Sequence, residues 1–212
     1  MDKALVMLSG GLDSATCLYW ARERFDVSAI TFNYFGRLEN ERSATAKLAE
    51  AVGVKVIEID VPFVKEAADV DGGKFAGPDK KWAAYVPARN MMFYSIAAHH
   101  AEYFGAKWIV GGHNLHDASL FKDASKEYIG KLNALFREAC LACDGKPYQI
   151  LLPLADMDRV GVLRLAQELN VPLAFTWSCH SDGDRHCGLC YSCRQRLEAF
   201  GAIGVPDPAF ER

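Results

Sequence analysis

The stretch that most constrains the fold is an apolar run, Ala4–Leu8, followed directly by Ser9-Gly10-Gly11-Leu12-Asp13-Ser14. The run has the length and content of a buried strand, and apolar residues then recur at three- and four-residue steps from Leu12 to Ala21. A strand, a glycine turn and a helix in this order present free backbone N–H groups and a helix dipole to an anion. The two glycines allow a phosphate to approach the backbone closely. This stretch therefore predicts a phosphate-binding loop.

The loop differs from the G-x-x-x-x-G-K-[ST] triphosphate loop because no lysine follows its glycines. Ser9 and Ser14 add hydroxyl donors, and Asp13 supplies a carboxylate suited to orienting Mg²⁺. The residues alone therefore predict a pyrophosphate-binding loop with Mg²⁺ near Asp13.

The hexapeptide Ser9–Ser14 matches the pattern S-G-G-x-D-S, and through it the chain resembles the PP-loop (N-type) ATP pyrophosphatases. The resemblance implies an enzyme that uses ATP with Mg²⁺ to adenylate a carbonyl or carboxylate group and releases pyrophosphate. It implies catalytic roles for Asp13 and Ser14, and ATP binding by Leu8, Ser9, Gly10, Gly11, Leu12, Asp13 and Ser14. A glycine turn that simply opens an α/β domain is the alternative for Ser-Gly-Gly alone. The full match at the end of the first predicted strand favours the nucleotide site.

Strand and helix patterns alternate along the rest of the chain. Continuous apolar strands that alternate with helices indicate a parallel sheet covered on both faces. The predicted fold class is α/β, a Rossmann-like sheet of the adenine nucleotide alpha hydrolase-like type. We place this domain at residues 1–175 and a small C-terminal zinc-binding helical segment at 176–212. The further predicted strands are Val27–Phe32, Val54–Ile59, Trp108–Gly112 and Gln149–Leu152, and the further predicted helices are Glu39–Val52, one that carries Met92 to Tyr103, Lys126–Ala142 and Asp158–Leu169.

Three features mark the carboxyl ends of the strands, where ligands bind in such sheets. The long irregular stretch Phe63–Ala84 is a candidate lid over the site. The polar cluster His113–Asp117 follows a predicted strand and is expected to contact the substrate. Arg89 begins a predicted helix, where a cation opposes the helix dipole unless an anion compensates it. We therefore predict that Arg89 is catalytic and makes a bidentate contact to phosphate or carboxylate.

Composition and charge restrict the class of partner. The chain has 212 residues with a formal net charge of −3, so it lacks the overall basic field that tRNA or DNA would need. Its longest apolar runs fall far short of a membrane span, and no basic segment precedes a signal-like core. We therefore expect a cytoplasmic protein with a small-molecule substrate, no membrane contact and no direct nucleic-acid partner.

Four of the seven cysteines lie close together near the end of the chain, at Cys179, Cys187, Cys190 and Cys193. The last three form overlapping C-x-x-C pairs, a spacing that lets a turn bring both sulfurs to one side of a metal. With Cys179 they complete a shell of four thiolates, which predicts one structural Zn²⁺ per chain. An iron–sulfur cluster stays an alternative, whereas disulfides are disfavoured in a reducing compartment.

The remaining candidate metal or redox residues receive simpler interpretations. His180 and His186 are expected to surround the metal shell or face solvent, because four thiols already complete it. Cys17 lies on the predicted core face of the first helix. Cys140 and Cys143 form a lone C-x-x-C, for which a structural role is favoured over a redox or persulfide role.

Three motifs resemble the 7-cyano-7-deazaguanine synthases, the QueC family. They are the Ser9–Ser14 loop, Tyr85-Val86-Pro87-Ala88-Arg89-Asn90, which is similar to that family's Y-V-P-G-R-N, and the cysteine-bearing stretch from Thr176 to Arg196. They occur in the family's order over nearly the whole chain. The resemblance implies that ATP adenylates the carboxylate of 7-carboxy-7-deazaguanine and that ammonia displaces AMP to give an amide. A second ATP-driven step would dehydrate the amide to the nitrile preQ0, for queuosine or archaeosine. The resemblance also implies a homodimer.

Two stretches depart from the family pattern. The family shows Y-G-Q-R-H where this chain reads Tyr34-Phe35-Gly36-Arg37-Leu38, and only Asp117, Ser119, Asp123 and Glu127 remain of a longer motif after the strand at Trp108. A divergent ligase that stops at the amide or uses another amine is therefore an alternative. The predicted substrate-binding residues are Arg37, Arg89, Asn90, Asn114, Asp117 and Asp123.

Two further alternatives come from other classes of protein. A tRNA-thiolating PP-loop enzyme would need a sulfur-carrying cysteine, which Cys140 or Cys143 would supply, and an RNA-binding module, which the sequence does not show. A non-catalytic nucleotide-binding regulator is disfavoured by the intact Asp13 and Arg89.

Overall fold

The structure is a computed structural model that describes residues 1–66, 74, 85–140 and 148–210. Its sheet contains five parallel strands in the order β3-β2-β1-β4-β5. Because β2 and β4 flank β1 on opposite sides, the carboxyl end of β1 lies where the strand order reverses, the place at which such sheets bind ligands. The strands are β1 (Lys3–Met7), β2 (Asp26–Tyr34), β3 (Val56–Val61), β4 (Trp108–Val110) and β5 (Gln149–Leu151).

The helices follow the predicted alternation, with one addition. The predicted helix Glu39–Val52 is confirmed at both ends. Gly53 ends it by adopting the left-handed conformation at φ +66°. The short helix Leu115–Leu120 was not predicted, and the predicted helix Lys126–Ala142 ends earlier, at Ala139. The helices are α1 (Leu12–Arg22), α2 (Glu39–Val52), α3 (Arg89–Phe104), α4 (Leu115–Leu120), α5 (Lys126–Ala139), α6 (Arg159–Glu168) and α7 (Tyr191–Ala202).

Two buried clusters cover the two faces of the sheet, which confirms the predicted three-layer architecture. Alternate residues of β1 serve both clusters, since Val6 packs with α1 and α6 while Leu5 packs with α3 and α5. Phe200 of α7 belongs to the same cluster as α1 and α6. The domain division at residue 175 stays a prediction.

Two sequence predictions concern parts of the chain that the structure leaves largely undescribed. Residues 67–73 and 75–84, most of the predicted lid, lie outside the described residues, as does Cys143. Among the described residues, every helix is too short or too polar to traverse a lipid bilayer.

Candidate active site

The predicted phosphate-binding loop forms the turn between β1 and α1. Gly10 has φ +93°, and a Cβ atom on it would lie 2.5 Å from the carbonyl oxygen of Glu41 in α2. Only glycine tolerates both this backbone conformation and this close approach. Gly11 precedes the first turn of α1 without a side-chain cap, so the N-terminal amides of the helix remain available to an anion.

The two serines of the loop are joined by hydrogen bonds. The Ser9 hydroxyl lies 3.1 Å from that of Ser14, and the Ser14 hydroxyl donates to the Gly11 carbonyl over 3.0 Å. The Ser14 oxygen also accepts a bond from the Ser9 amide over 3.2 Å. These contacts hold the loop in one shape before a ligand arrives, and such preorganisation lowers the cost of binding phosphate.

The loop after β4 brings a second carboxylate to Asp13. Asn114 is fully buried; its amide nitrogen donates to Asp13 over 3.2 Å, and its side-chain oxygen caps α4 by accepting from His116 and Asp117. The Asp117 carboxylate in turn accepts from the Asn114 backbone amide over 3.2 Å. This capping box fixes both carboxylates relative to the phosphate loop.

The pKa of Asp13 is raised to about 7, first by burial and then by the Asp117 carboxylate, against the opposing effects of Arg159 and the Asn114 hydrogen bond. Burial and a neighbouring carboxylate both disfavour ionisation, and a bound cation would favour it. Oxygen ligands of this kind are also those that Mg²⁺ prefers. The donor set at Asp13 and Asp117 therefore fits a magnesium ion.

A cavity of about 410 Å³ opens above the phosphate loop. Its volume falls in the range of small-molecule sites. Of the predicted residues, Leu8, Ser9, Gly11, Leu12, Asp13, Ser14, Arg37, Arg89 and Asp117 line it. The structure thus brings the predicted nucleotide and substrate residues together, although they are separated widely in the sequence.

The four predicted residues that do not line the cavity are Gly10, Asn90, Asn114 and Asp123. Gly10 shapes the loop, and Asn114 acts through Asp13, as described above. Asn90 is buried in the first turn of α3, and Asp123 lies in a short 3-10 helix, Lys122–Ala124. Asp123 is nevertheless close enough to His113 to raise the pKa of that imidazole, against the larger lowering that burial causes.

Arg37 and Arg89 line the same cavity but differ in their partners. The Arg37 guanidinium donates to the Phe32 carbonyl, to Asn33 and to Thr45 over 2.7–3.0 Å. Arg89, at the start of α3, has no hydrogen-bond acceptor for its guanidinium within the described ranges, because only its backbone amide is bonded. Arg37 therefore supports the loop after β2, whereas Arg89 is available to a ligand.

The four cysteines near the C-terminus form one compact cluster. Their sulfur atoms all lie within 4.8 Å of one another, and Cys187 and Cys193 are separated by 3.9 Å. A tetrahedral site with metal–sulfur bonds of about 2.3 Å needs sulfur–sulfur distances of about 3.8 Å. Backbone amides of Cys190 and Leu189 lower the pKa of the Cys187 thiol to about 6, which favours the thiolate that binds metal. The cluster therefore fits a metal ion.

The cysteine segment also forms part of the cavity wall. The Trp177 amide donates to the Gly10 carbonyl over 2.9 Å, which ties the segment to the phosphate loop. Ser178, Ser192 and Gln195 line the cavity from the same side. His186, expected near the metal shell or in solvent, is buried, and its ring nitrogen accepts the Ser178 amide over 3.0 Å. A metal bound by the cluster would therefore hold one wall of the site.

Sequence reasoning missed several residues of the cavity. Glu41 and Arg159 line the cavity and were not predicted. His113 and Trp177 also line it, but the sequence indicated them only as parts of motifs. Arg159 stands at the first position of α6, as Arg89 does in α3. The argument used for Arg89, that a cation at the start of a helix opposes the helix dipole unless an anion compensates it, would also have identified Arg159.

Comparison with known proteins identifies relatives over the whole fold. Residues 3–204 match the family model of queuosine biosynthesis protein QueC. A 7-cyano-7-deazaguanine synthase from Acinetobacter baylyi is 39% identical over 97% of this chain and 93% of its own length. One from Cyanothece sp. is 36% identical over 97% of this chain and 98% of its own length. A solved structure from Methanocaldococcus jannaschii, described as a predicted subunit of tRNA methyltransferase, has a TM-score of 0.53 at 15% identity over 100% of this chain and 93% of its own.

Proposed function

Because the chain belongs to the QueC family, we propose that it uses ATP and ammonia to convert 7-carboxy-7-deazaguanine to 7-cyano-7-deazaguanine. The observation that carries this proposal is a single cavity that joins an open phosphate loop to an arginine without a protein partner among the described residues. A nucleoside triphosphate matches the phosphate loop, and a carboxylate matches the arginine.

The first step activates the carboxylate. A carboxylate oxygen attacks the α-phosphorus of ATP, the bond to pyrophosphate breaks, and an acyl adenylate forms. Amides at the start of α1 and the Ser9 and Ser14 hydroxyls would hold the departing pyrophosphate. Arg89 would orient the substrate carboxylate. Asp13 and Asp117 would hold Mg²⁺, which would neutralise the charge of the phosphates.

The following steps consume ammonia and a second ATP. Ammonia attacks the acyl carbon and AMP leaves, which gives the primary amide and releases a proton. The amide oxygen then attacks the α-phosphorus of a second ATP, the bond to pyrophosphate breaks, and loss of AMP and of the two protons on nitrogen leaves the nitrile. The same residues serve both activations, because each transfers a substrate oxygen to the α-phosphorus.

The cysteine cluster is proposed to hold one structural zinc ion per chain. Four thiolates form a closed shell with no position for a substrate, as in structural zinc sites. The ion would keep Trp177 and Ser178 against the phosphate loop.

The proposal extends to the setting of the enzyme. On the family resemblance we propose a cytoplasmic homodimer with small-molecule partners only, namely the deazapurine acid, ATP and ammonia. The net charge of −3 supports the lack of a direct nucleic-acid partner.

Product analysis tests this function. Purified protein is incubated with ATP, Mg²⁺, ammonium and 7-carboxy-7-deazaguanine, and the products are identified by mass spectrometry. We expect the nitrile together with AMP. An amide as the only product would favour the divergent ligase, which the altered loop after β4 suggests. No AMP from folded, metal-loaded protein would contradict this substrate.

A further inference from the structure

The polar atoms that lack a protein partner concentrate around one cavity. Five buried side-chain nitrogen or oxygen atoms of the described chain have no hydrogen-bond partner, and four of them belong to residues that line the cavity: Thr31, Tyr94, Arg159 and Trp177. Buried polar groups in proteins are almost always bonded, so each exception calls for an explanation. A ligand that supplies the missing partners is the simplest one.

Arg159 narrows the chemistry of that ligand. Its guanidinium has five N–H donors and no acceptor atom, and none of these donors meets an acceptor in the part of the chain that the structure describes. Its Nε atom is cut off from solvent, and the rest of the half-buried side chain lines the cavity. An anion with several oxygen atoms satisfies such a group best.

The position of Arg159 indicates which anion it meets. Arg159 begins α6, whose side chains pack in one cluster with those of α1, the helix that starts at the phosphate loop, and its guanidinium forms no ion pair within 4.0 Å among the described residues. Arg89 begins α3, whose buried side chains belong to the cluster on the opposite face of the sheet. Two cations without partners in the described ranges therefore serve two different parts of the bound ligands.

We propose that Arg159 binds the β- and γ-phosphates of ATP and the pyrophosphate that leaves, whereas Arg89 serves the carboxylate of the second substrate. The inference rests on the proposed use of ATP. It makes Arg159 a direct contact to the leaving group, beside the amides of the phosphate loop. Its position at the first residue of α6 fits this role, since a bound anion removes the unfavourable interaction between cation and helix dipole.

Binding measurements without the second substrate test the proposal. Zinc-loaded protein with Mg²⁺ is titrated by calorimetry with inorganic pyrophosphate, ATP and adenosine, for the wild type and for Arg159→Met, Arg89→Met and Arg164→Met. Arg164 is an exposed arginine on the same helix and serves as the matched control. We expect Arg159→Met to weaken pyrophosphate and ATP by about tenfold or more, because a hydrogen bond to a charged group is lost. Adenosine affinity should stay within about twofold, and the other two variants should bind pyrophosphate as the wild type does.

The outcomes separate this proposal from the proposed function. A wild type that binds neither ATP nor pyrophosphate contradicts the use of ATP itself. A wild type that binds both, with an Arg159→Met variant that binds pyrophosphate equally well, contradicts only the role of Arg159. An equal loss of adenosine affinity, or a lower urea midpoint for Arg159→Met, would also overturn the proposed role of Arg159. Either result would mean that the arginine supports the fold and does not act on the phosphates alone.

Discussion

The cysteine segment and α6 each contribute an arginine to the cavity wall, and the charges of these two arginines are met in opposite ways. In the segment, Arg196 is buried, and its five donors all meet acceptors: both Asp207 oxygens, Thr176, Ser178 and the Leu173 carbonyl, over 2.6–3.2 Å. In α6, Arg159 meets none among the described residues. Charge that the protein itself satisfies holds the fold, and charge that it leaves unsatisfied is kept for a ligand.

The largest effect is expected from the metal cluster. Replacing Cys190 with Ser should abolish the stoichiometric zinc, and because structural zinc contributes on the order of 10 kcal/mol to small domains, the segment should lose its packing. Metal analysis and tryptophan fluorescence measure the two effects. Cys17→Ala, a buried cysteine outside the cluster, should keep the zinc. Retention of wild-type ATP affinity by Cys190→Ser would contradict the view that the segment forms a cavity wall.

The next effect concerns the buried ion pair. Asp207→Ala removes two of the five acceptors of the buried Arg196, and with them its only counter-charge among the described residues; breaking such a pair typically costs about 3–5 kcal/mol. Urea unfolding gives this free energy. Asp117→Ala loses the capping bond to the Asn114 amide but also the repulsion with Asp13, so it should cost only about 1 kcal/mol or less. If the cavity variant were the more destabilised of the two, the contrast between the regions would fail.

A pH effect of intermediate size is expected from Asp13. Its pKa is about 7 in the folded protein against an ordinary value of 3.8, so folding favours the protonated form. The favourable contribution is complete below pH 3.8 and is lost as the pH rises to about 7. The loss amounts to about 2–4 kcal/mol, with the lower figure allowing for partial exposure of the side chain. Stability curves of wild type and Asp13→Asn in Mg²⁺-free buffer should converge at the acid end of this range and diverge toward neutral pH; parallel curves would contradict the assignment.

The smallest effect separates backbone strain from close packing. Gly53→Ala places a side chain at φ +66° with open space around it, and should cost about 1–2 kcal/mol. Gly10→Ala adds the 2.5 Å clash with the Glu41 carbonyl, so it should cost more and also abolish nucleotide binding. Thermal unfolding and ATP titration measure both effects. Equal losses for the two variants would show that the approach of α2 to the loop does not matter.

Local patterns made much of the fold predictable. The strand, the glycine loop and the bounds of Glu39–Val52 depend on neighbours in sequence, and Gly53 marks its helix end directly. The cysteine cluster was equally accessible, because the C-x-x-C spacing fixes the geometry locally. The capping box of Asn114 and Asp117 would have revealed α4, but these polar residues were interpreted only as substrate contacts.

The rest of the site depends on tertiary structure that no local pattern encodes. Arg159 and Arg196 are both arginines at or within helices, and only the folded chain shows that Asp207 satisfies one while the other has no acceptor in the described ranges. Likewise, the hydrogen bond from the Trp177 amide to the Gly10 carbonyl joins residues that are far apart in the sequence. Such contacts follow from how α6 and α7 pack against α1.

Isotope transfer tests the central claim, that the enzyme adenylates a carboxylate, most directly. The acid 7-carboxy-7-deazaguanine is labelled with ¹⁸O in both carboxylate oxygens and turned over with ATP, Mg²⁺ and ammonium, and the nucleotides are analysed by mass spectrometry. We predict that every AMP carries one ¹⁸O, since each activation passes a substrate oxygen to the α-phosphorus and the nitrile retains none. Unlabelled AMP, or ADP with labelled phosphate, would contradict adenylation of the carboxylate.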